Sequence, residues 1–238
     1  MKKPVRKLSV VIPVYNEAGT LAEIVQRVLA VELPVEREIV VVDDGSTDGS
    51  DRIASELARR HPEVRAFRQE RNRGKGAALR AGFAQAAGDV ILVQDADLEY
   101  DPNDYGKLLT PIIAGRADVV FGSRTLRESG RGQLMFYLGG RVVSAVTNLL
   151  YAAHVSDEPT CYKVFRRSVL DRIRLTCTGF EFCPEFTAKV LKAGYVIHEV
   201  PIRYYPRTRA EGKKVTWRDG VQAIWTLVKY RLFAGEAP

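Results

Sequence analysis

Apolar positions change period several times along this chain. Residues 8–14 predict a strand, and residues 20–29 show helical spacing at Leu21, Ile24, Val25 and Val28. Residues 38–42 are a nearly continuous β-branched run and predict a second strand. Residues 48–60 read as a helix with Ile53, Leu57 and Ala58 on one face. A short strand over 64–68 and an Ala-rich helix over 75–87 follow, then strands over 90–93 and 118–122. Strands alternating with helices predict βαβ units and a mainly parallel α/β sheet with helices on both faces. The second half changes character. Residues 134–154 are apolar and helix-like but contain Arg141, a short strand lies near 161–165, and a helix covers 185–193. A strand follows over 196–202, and residues 216–233 form a helix with Trp217, Val221, Ile224, Trp225, Val228 and Leu232 on one stripe. No composition break divides the chain, so one domain over 1–238 is expected.

Composition narrows the class. With 46% hydrophobic and 27% charged residues in 238, the chain is neither disordered nor fibrous. Cys161, Cys177 and Cys183 contain no C-x-x-C, which argues against a disulfide framework or a structural zinc, and reduced thiols fit a cytoplasmic location. No apolar run reaches 18 residues, so no spanning helix is expected. The basic start, residues 1–7, leads into an apolar run as a leader would, but Pro13 and Glu17 interrupt it, so it reads as a first strand. A formal charge of +7 favours anionic partners: nucleic acid, acidic lipid or a phosphorylated substrate.

In parallel α/β sheets, ligands bind beyond the carboxyl ends of strands. Pro13, Tyr15, Asn16 and Glu17 follow the first strand, and Asp43-Asp44-Gly45-Ser46 follow the second. Asp95-Ala96-Asp97-Leu98-Glu99 follow the strand over 90–93, and Gly122-Ser123-Arg124 close the next. If extended, the segment turns Asp95, Asp97 and Glu99 to one side, where three carboxylates repel unless a cation lies between them. A hard ion, Mg²⁺ or Mn²⁺, takes oxygen ligands and keeps places for substrate phosphates. Asp44, Ser46, Asp48 and Gly49 begin a calcium-loop pattern, but its last position falls on Ser55, where a Glu is required. Asp48 or Ser46 is expected to cap the following helix, leaving Asp44 free for a ligand. Asn72-Arg73-Gly74-Lys75-Gly76 is a glycine-rich turn able to receive a phosphate. His61, His154 and His198 have no metal-ligand spacing.

Val11-Ile12-Pro13-Val14-Tyr15-Asn16-Glu17, Val42-Asp43-Asp44-Gly45-Ser46-Thr47-Asp48, Asn72-Arg73-Gly74-Lys75-Gly76 and Asp95-Ala96-Asp97, in that order, resemble family 2 glycosyltransferases of the GT-A fold. Gly122-Ser123-Arg124 and Glu199-Val200-Pro201-Ile202 narrow the resemblance to the dolichyl- and polyprenyl-phosphate sugar synthases. The resemblance implies a nucleotide-sugar half over about 1–125 and an acceptor half over about 126–238. It implies that Pro13, Tyr15, Glu17, Asp44, Lys75 and Asp95 bind the donor, and that Asp97 with Glu99 holds the metal. It implies that Arg124, Arg141, Arg207 and Lys213 face the acceptor phosphate, and that Asp95, Asp97, Arg124, Arg207 and Lys213 carry the catalysis. Glu99 stands where well-known members carry Gln, and Glu211-Gly212-Lys213-Lys214 replaces a Gly-Glu-Ser-Lys run, which leaves the donor sugar open.

An alcohol acceptor needs a base, whereas a phosphate monoester is already anionic near neutral pH. A metal with Arg and Lys, and no obvious His base, fits direct inverting displacement. The expected reaction moves mannose from GDP-mannose to a polyprenyl phosphate, with UDP-glucose as the alternative donor. A soluble or polysaccharide acceptor would need a base, for which Glu181, Glu185 and Asp157 are candidates. A non-catalytic adaptor for acidic lipid or nucleic acid is the rival from another class. It leaves the clustered carboxylates unexplained, and no nucleic-acid partner is expected. The stretches 134–154 and 216–233 are expected to lie in the cytoplasmic membrane face, with Tyr137, Tyr151, Trp217 and Trp225 near headgroups and Arg141, Arg218, Lys229 and Arg231 on lipid phosphate. Contact in the core or in a homo-oligomer is the competing use of the same stripes.

Overall fold

The computed structural model describes residues 3–126, 134–207, 212, 214 and 216–233, with 134–136 as backbone only. In chain order the elements are β1 (Lys7–Val14), α1 (Leu21–Ala30), β2 (Glu36–Asp43), α2 (Ser50–Arg60), β3 (Val64–Arg68), α3 (Lys75–Gln85) and β4 (Val90–Val93). They continue as α4 (Tyr105–Ile113), β5 (Val119–Ser123), α5 (Leu134–Tyr151), β6 (Lys163–Arg166), α6 (Phe182–Lys192), β7 (Ile197–Pro201) and α7 (Trp217–Leu232). The strands form one sheet ordered β3-β2-β1-β4-β6-β5-β7. Only β6 runs antiparallel to its neighbours, β4 and β5. The strand centres are fully buried, from Val10 to Ile12 in β1, Ile39 to Val41 in β2 and all of β4, as expected for a sheet covered on both faces.

The chain leaves β1 towards β2 and β3 on one side, then returns to place β4 on the other. Strand order therefore reverses between β1 and β4, which opens a crevice beyond their carboxyl ends.

The structure departs locally from the expected pattern. The helix α4 over 105–113, with Pro111 inside it, is not among the elements read from the sequence. The α2 cap position is Gly49, with φ 96°, in place of Asp48 or Ser46. Asp48 instead accepts from Ser50 N at 3.0 Å and Ala18 N at 2.9 Å, while Ser46 Oγ accepts from Asn16 N at 2.9 Å. Both side chains hold the turn after β1.

The stripe on α7 also divides. Leu227 packs with Val143 and Ala188, and Tyr151 donates its hydroxyl to Leu227 O at 2.7 Å, which joins α7 to α5. Trp217, Val221, Trp225 and Leu232 are 58–71% exposed. The buried face of α7 is thus offset from the most apolar one.

Glu185, on α6, ties α7 to the rest. Its carboxylate accepts from Thr176 N at 2.9 Å, Cys177 N at 2.7 Å, Lys189 Nζ at 2.6 Å and Tyr230 hydroxyl at 2.7 Å, and the residue is 1% exposed. Burial alone raises its pKa, but hydrogen bonds involving Cys177, Lys189, Tyr230 and Thr176 outweigh it and bring the value down to about 2. A carboxylate depressed in the folded state stabilises above its unfolded pKa, and that contribution is lost as pH falls from about 4.5 towards 2. Glu185→Ala should lose about 3 kcal/mol at pH 6. Urea unfolding of both proteins should find the difference between wild type and variant shrinking by more than half between pH 6 and pH 3.

Candidate active site

The crevice opens into a cavity of about 1480 Å³. Its inner wall is Pro13, Tyr15, Glu17, Asp44, Lys75, Asp95, Asp97 and Glu99, and its outer arm runs between α5 and α7 along Leu138, Arg141, Val142, Trp217, Val221 and Ile224. Carboxylates thus occupy one end and aliphatic and aromatic groups the other. None of the three His residues lines it.

Asp44 lines the cavity, but its carboxylate is not free. It accepts from Arg73 N at 2.8 Å and Gly74 N at 2.7 Å, which corrects the expectation that a ligand would have it alone. Burial raises its pKa, and those two N–H groups offset part of the rise. The glycine-rich turn is likewise occupied. Gly76 N donates to Gly179 O at 3.1 Å and Ala77 N to Thr178 O at 3.0 Å, so these helix-start donors hold the 178–179 loop and face no phosphate. Gly74 has φ +92°, and a Cβ there would stand 2.4 Å from Thr178 O, so only glycine allows that contact. Lys75 Nζ meets Asp95 at 2.5 Å. Burial would lower the lysine pKa, but Asp95 more than reverses this.

The segment after β4 is a turn with Leu98 at φ 63°, not the extended run expected. Asp95, Asp97 and Glu99 therefore do not line up as three ligands, and no group of three His, Cys, Asp or Glu among the described residues has metal-holding geometry. Glu99 is otherwise engaged: it accepts from Arg207 N at 2.6 Å and from the Tyr204 hydroxyl at 2.9 Å. Both of its carboxylate oxygens thus have partners within the chain. Asp97 differs. Burial, then the charges of Asp95 and Glu99, push its carboxyl up to about 7, a surplus of negative charge that a cation would relieve. Asp97 is the carboxylate that would take a hard divalent ion, since Asp95 is already paired with Lys75.

The basic residues are mostly paired. Arg124 binds Asp157 with Nε and Nη2, each at 2.7 Å, and lies 4.9 Å from the centroid of Tyr204. Arg207 and Lys214 share Glu17, at 3.1 and 2.8 Å. Arg141 lines the cavity and has no carboxylate partner among the described residues. Lys213 lies outside the described residues. The candidate bases are also engaged: Asp157 by Arg124, Glu185 as above, and Glu181 by Thr178 N and Gly179 N, each at 2.9 Å.

A family model described as "Glycosyl transferase family 2" matches residues 9–174. The chain belongs to glycosyl transferase family 2. This family 2 chain is 32% identical over 211 residues to a dolichol-phosphate mannosyltransferase of Pyrococcus furiosus, covering 87% of this chain and 59% of that one. It is 32% identical to a polyprenol monophosphomannose synthase of Mycolicibacterium smegmatis, covering 86% and 80%. It therefore spans less than two thirds of the Pyrococcus protein. Its fold matches the glucosyl-3-phosphoglycerate synthase of Mycobacterium tuberculosis, solved with Mn²⁺, UDP and glucosyl-3-phosphoglycerate, at a TM-score of 0.74 and 21% identity, covering 95% and 80%. That likeness identifies the architecture as GT-A.

Asp97→Asn should keep the fold and lose the Mn²⁺-dependent part of nucleoside diphosphate binding. Titration calorimetry with GDP and UDP, each with and without Mn²⁺, is the check, and at least a tenfold loss, about 1.4 kcal/mol, is expected. Unchanged affinity would remove Asp97 from the metal site.

Proposed function

We propose that this chain is the catalytic part of an inverting polyprenyl-phosphate hexosyltransferase, moving mannose from GDP-mannose to a dolichyl or polyprenyl phosphate. The observation that carries the reading is the cavity itself. It runs from paired carboxylates at a strand-order reversal to an apolar arm where Arg141 stands without a carboxylate partner. A lipid phosphate matches that gradient: an anionic head beside Arg141 and an apolar tail between α5 and α7. The names of the Pyrococcus and Mycolicibacterium relatives support the same substrates. On this reading residues up to about 125 bind the nucleotide sugar and those beyond it the acceptor.

The chemistry follows from the engagement of Glu181, Glu185 and Asp157. A hydroxyl acceptor needs a free base and those three candidates are engaged, whereas a phosphate monoester, with its second pKa near 6, needs none. Its oxygen attacks the anomeric carbon as the bond to the diphosphate breaks, inverting that centre. A divalent ion at Asp97 would supply positive charge against the departing diphosphate. The chain's own part is to orient both phosphates. Arg207 and Lys214 stand at the mouth and are able to exchange Glu17 for substrate oxygens.

No helix among the described residues is long and apolar enough to cross a membrane. On this reading the exposed Leu138, Val142, Trp217, Val221 and Trp225 rest in the cytoplasmic membrane face, with Arg141, Arg218, Lys229 and Arg231 on lipid phosphate. A homo-oligomer is the rival occupant of that face.

Transfer should be assayed with GDP-mannose and UDP-glucose against geranyl phosphate. Arg141→Ala is expected to lower kcat/KM for the acceptor at least tenfold, with the donor Kd unchanged; transfer from UDP-glucose alone would change the donor. Flotation with anionic liposomes should capture the protein at low salt and release it at high salt, and Trp225→Glu should weaken capture. A wild type that stays in solution and sediments as a dimer would assign the face to a second copy.

A further inference from the structure

Gly122-Ser123-Arg124 and Glu199-Val200-Pro201-Ile202 stand far apart in sequence, but the parallel pairing of β5 with β7 sets them side by side. Phe121 lies opposite Glu199, Gly122 opposite Val200 and Ser123 opposite Pro201. The contact is close: a Cβ on Gly122 would stand 2.8 Å from Ile202 Cγ2 and 2.9 Å from Tyr162 Cβ.

From this register the Glu199 carboxylate reaches the loop before β6. It accepts from Ser156 N at 2.7 Å, Ser156 Oγ at 3.0 Å and Asp157 N at 3.1 Å. The hydroxyls of Ser156 and Ser123 meet at 2.7 Å. Asp157, itself buried, then accepts from Arg124 N at 2.8 Å and from Nε and Nη2 at 2.7 Å each. The Tyr204 ring covers the guanidinium 4.9 Å away. Arg124 lines the cavity, and Nη1 is its guanidinium nitrogen without an acceptor among the described residues.

We propose that Glu199 is a positioning residue: by fixing the backbone at Ser156 and Asp157 it locks the Asp157 clamp, which aims the remaining edge of Arg124 at the acceptor phosphate. The inference rests on the acceptor reading given above. The physical reason lies in the arginine side chain. Left alone it samples many rotamers, and holding it loosely would spend binding energy on ordering it. A two-point clamp under a stacked ring fixes the direction of Nη1. The clamp in turn is only as rigid as the loop that carries it, and an acceptor on β7 makes that loop part of the sheet edge. The Asp157 charge also offsets that of Arg124, so the arginine acts through direction more than through net charge. Outer partners of this kind typically affect a site by about tenfold or more.

A double-mutant cycle tests this. Glu199→Gln should lower kcat/KM for geranyl phosphate about tenfold in the wild-type background and leave it unchanged in an Arg124→Ala background, with the Kd of the nucleoside diphosphate unmoved in both. Equal losses in the two backgrounds, or a matching loss of nucleoside diphosphate affinity, would make the network scaffold only and overturn the inference. Should Glu199→Gln not fold, Ser156→Ala, which removes the hydroxyl bound to Glu199, runs the same cycle. A wild type that binds nucleoside diphosphate but neither binds nor glycosylates geranyl phosphate would instead overturn the acceptor reading, and the inference would fall with it.

Discussion

β1 pairs in parallel with β2 on one side and β4 on the other, and this central position decides where everything else meets. Parallel pairing sends the loops after all three strands to the same edge. Because the chain returns across β1 to lay down β4, those loops diverge and leave a crevice rather than a closed surface. Pro13 to Glu17, Asp44, and Asp95 to Asp97 enter the crevice for that reason alone. The antiparallel β6 then fills the place between β4 and β5 and brings the 156–161 loop to the same edge. The proposed acceptor half is built on that loop.

The electrostatics of the cavity oppose the charge of the chain. The whole protein carries +7, yet the cationic groups Lys75, Arg124, Arg207 and Lys214 each face a carboxylate within 3.1 Å. Pairs of this kind, partly buried and partly exposed, add little net stability, since desolvation and solvent screening cancel much of the attraction. They hold long side chains in fixed directions instead. Asp97 is the exception at the inner end, with surplus negative charge, and Arg141 at the outer end, with no carboxylate partner among the described residues. On the proposed reading, a nucleotide sugar with a divalent cation would complement the first exception and a lipid phosphate the second.

α5 and α7 serve two purposes. Their inner faces meet at Val143 and Leu227 and close the cavity wall, while their outer faces leave tryptophan, valine and leucine in the open. A helix whose exposed face is as apolar as its buried one has been shaped by something besides its own core. Arg218, Lys229 and Arg231 lie on the same helix, which is why a negative surface is the occupant proposed for that face.

The sequence by itself determined the alternation of strands and helices, the first four strand ends and the family they resemble, because those features depend on local periodicity and on short runs read within one loop. Strands 64–68 and 90–93 have in the structure the limits the pattern predicts. Where the reading failed, the missing information was long-range. Asp44 looked free until Arg73 and Gly74, some 30 residues away, closed on it. The glycine-rich turn looked ready for phosphate until the carbonyls of Thr178 and Gly179 took its N–H groups. The three acidic residues after β4 looked aligned because alternation assumes an extended backbone, and Leu98 at φ 63° breaks it. The stripe on α7 named the apolar residues correctly, but packing against α5 chose a different face to bury. The Glu199 network was legible only as two unexplained runs, since hydrogen bonds across 42 and 43 residues leave no trace in local spacing. Local physics fixes which residues a strand end presents; only the pairing of distant strands decides which of them remain free to meet a ligand.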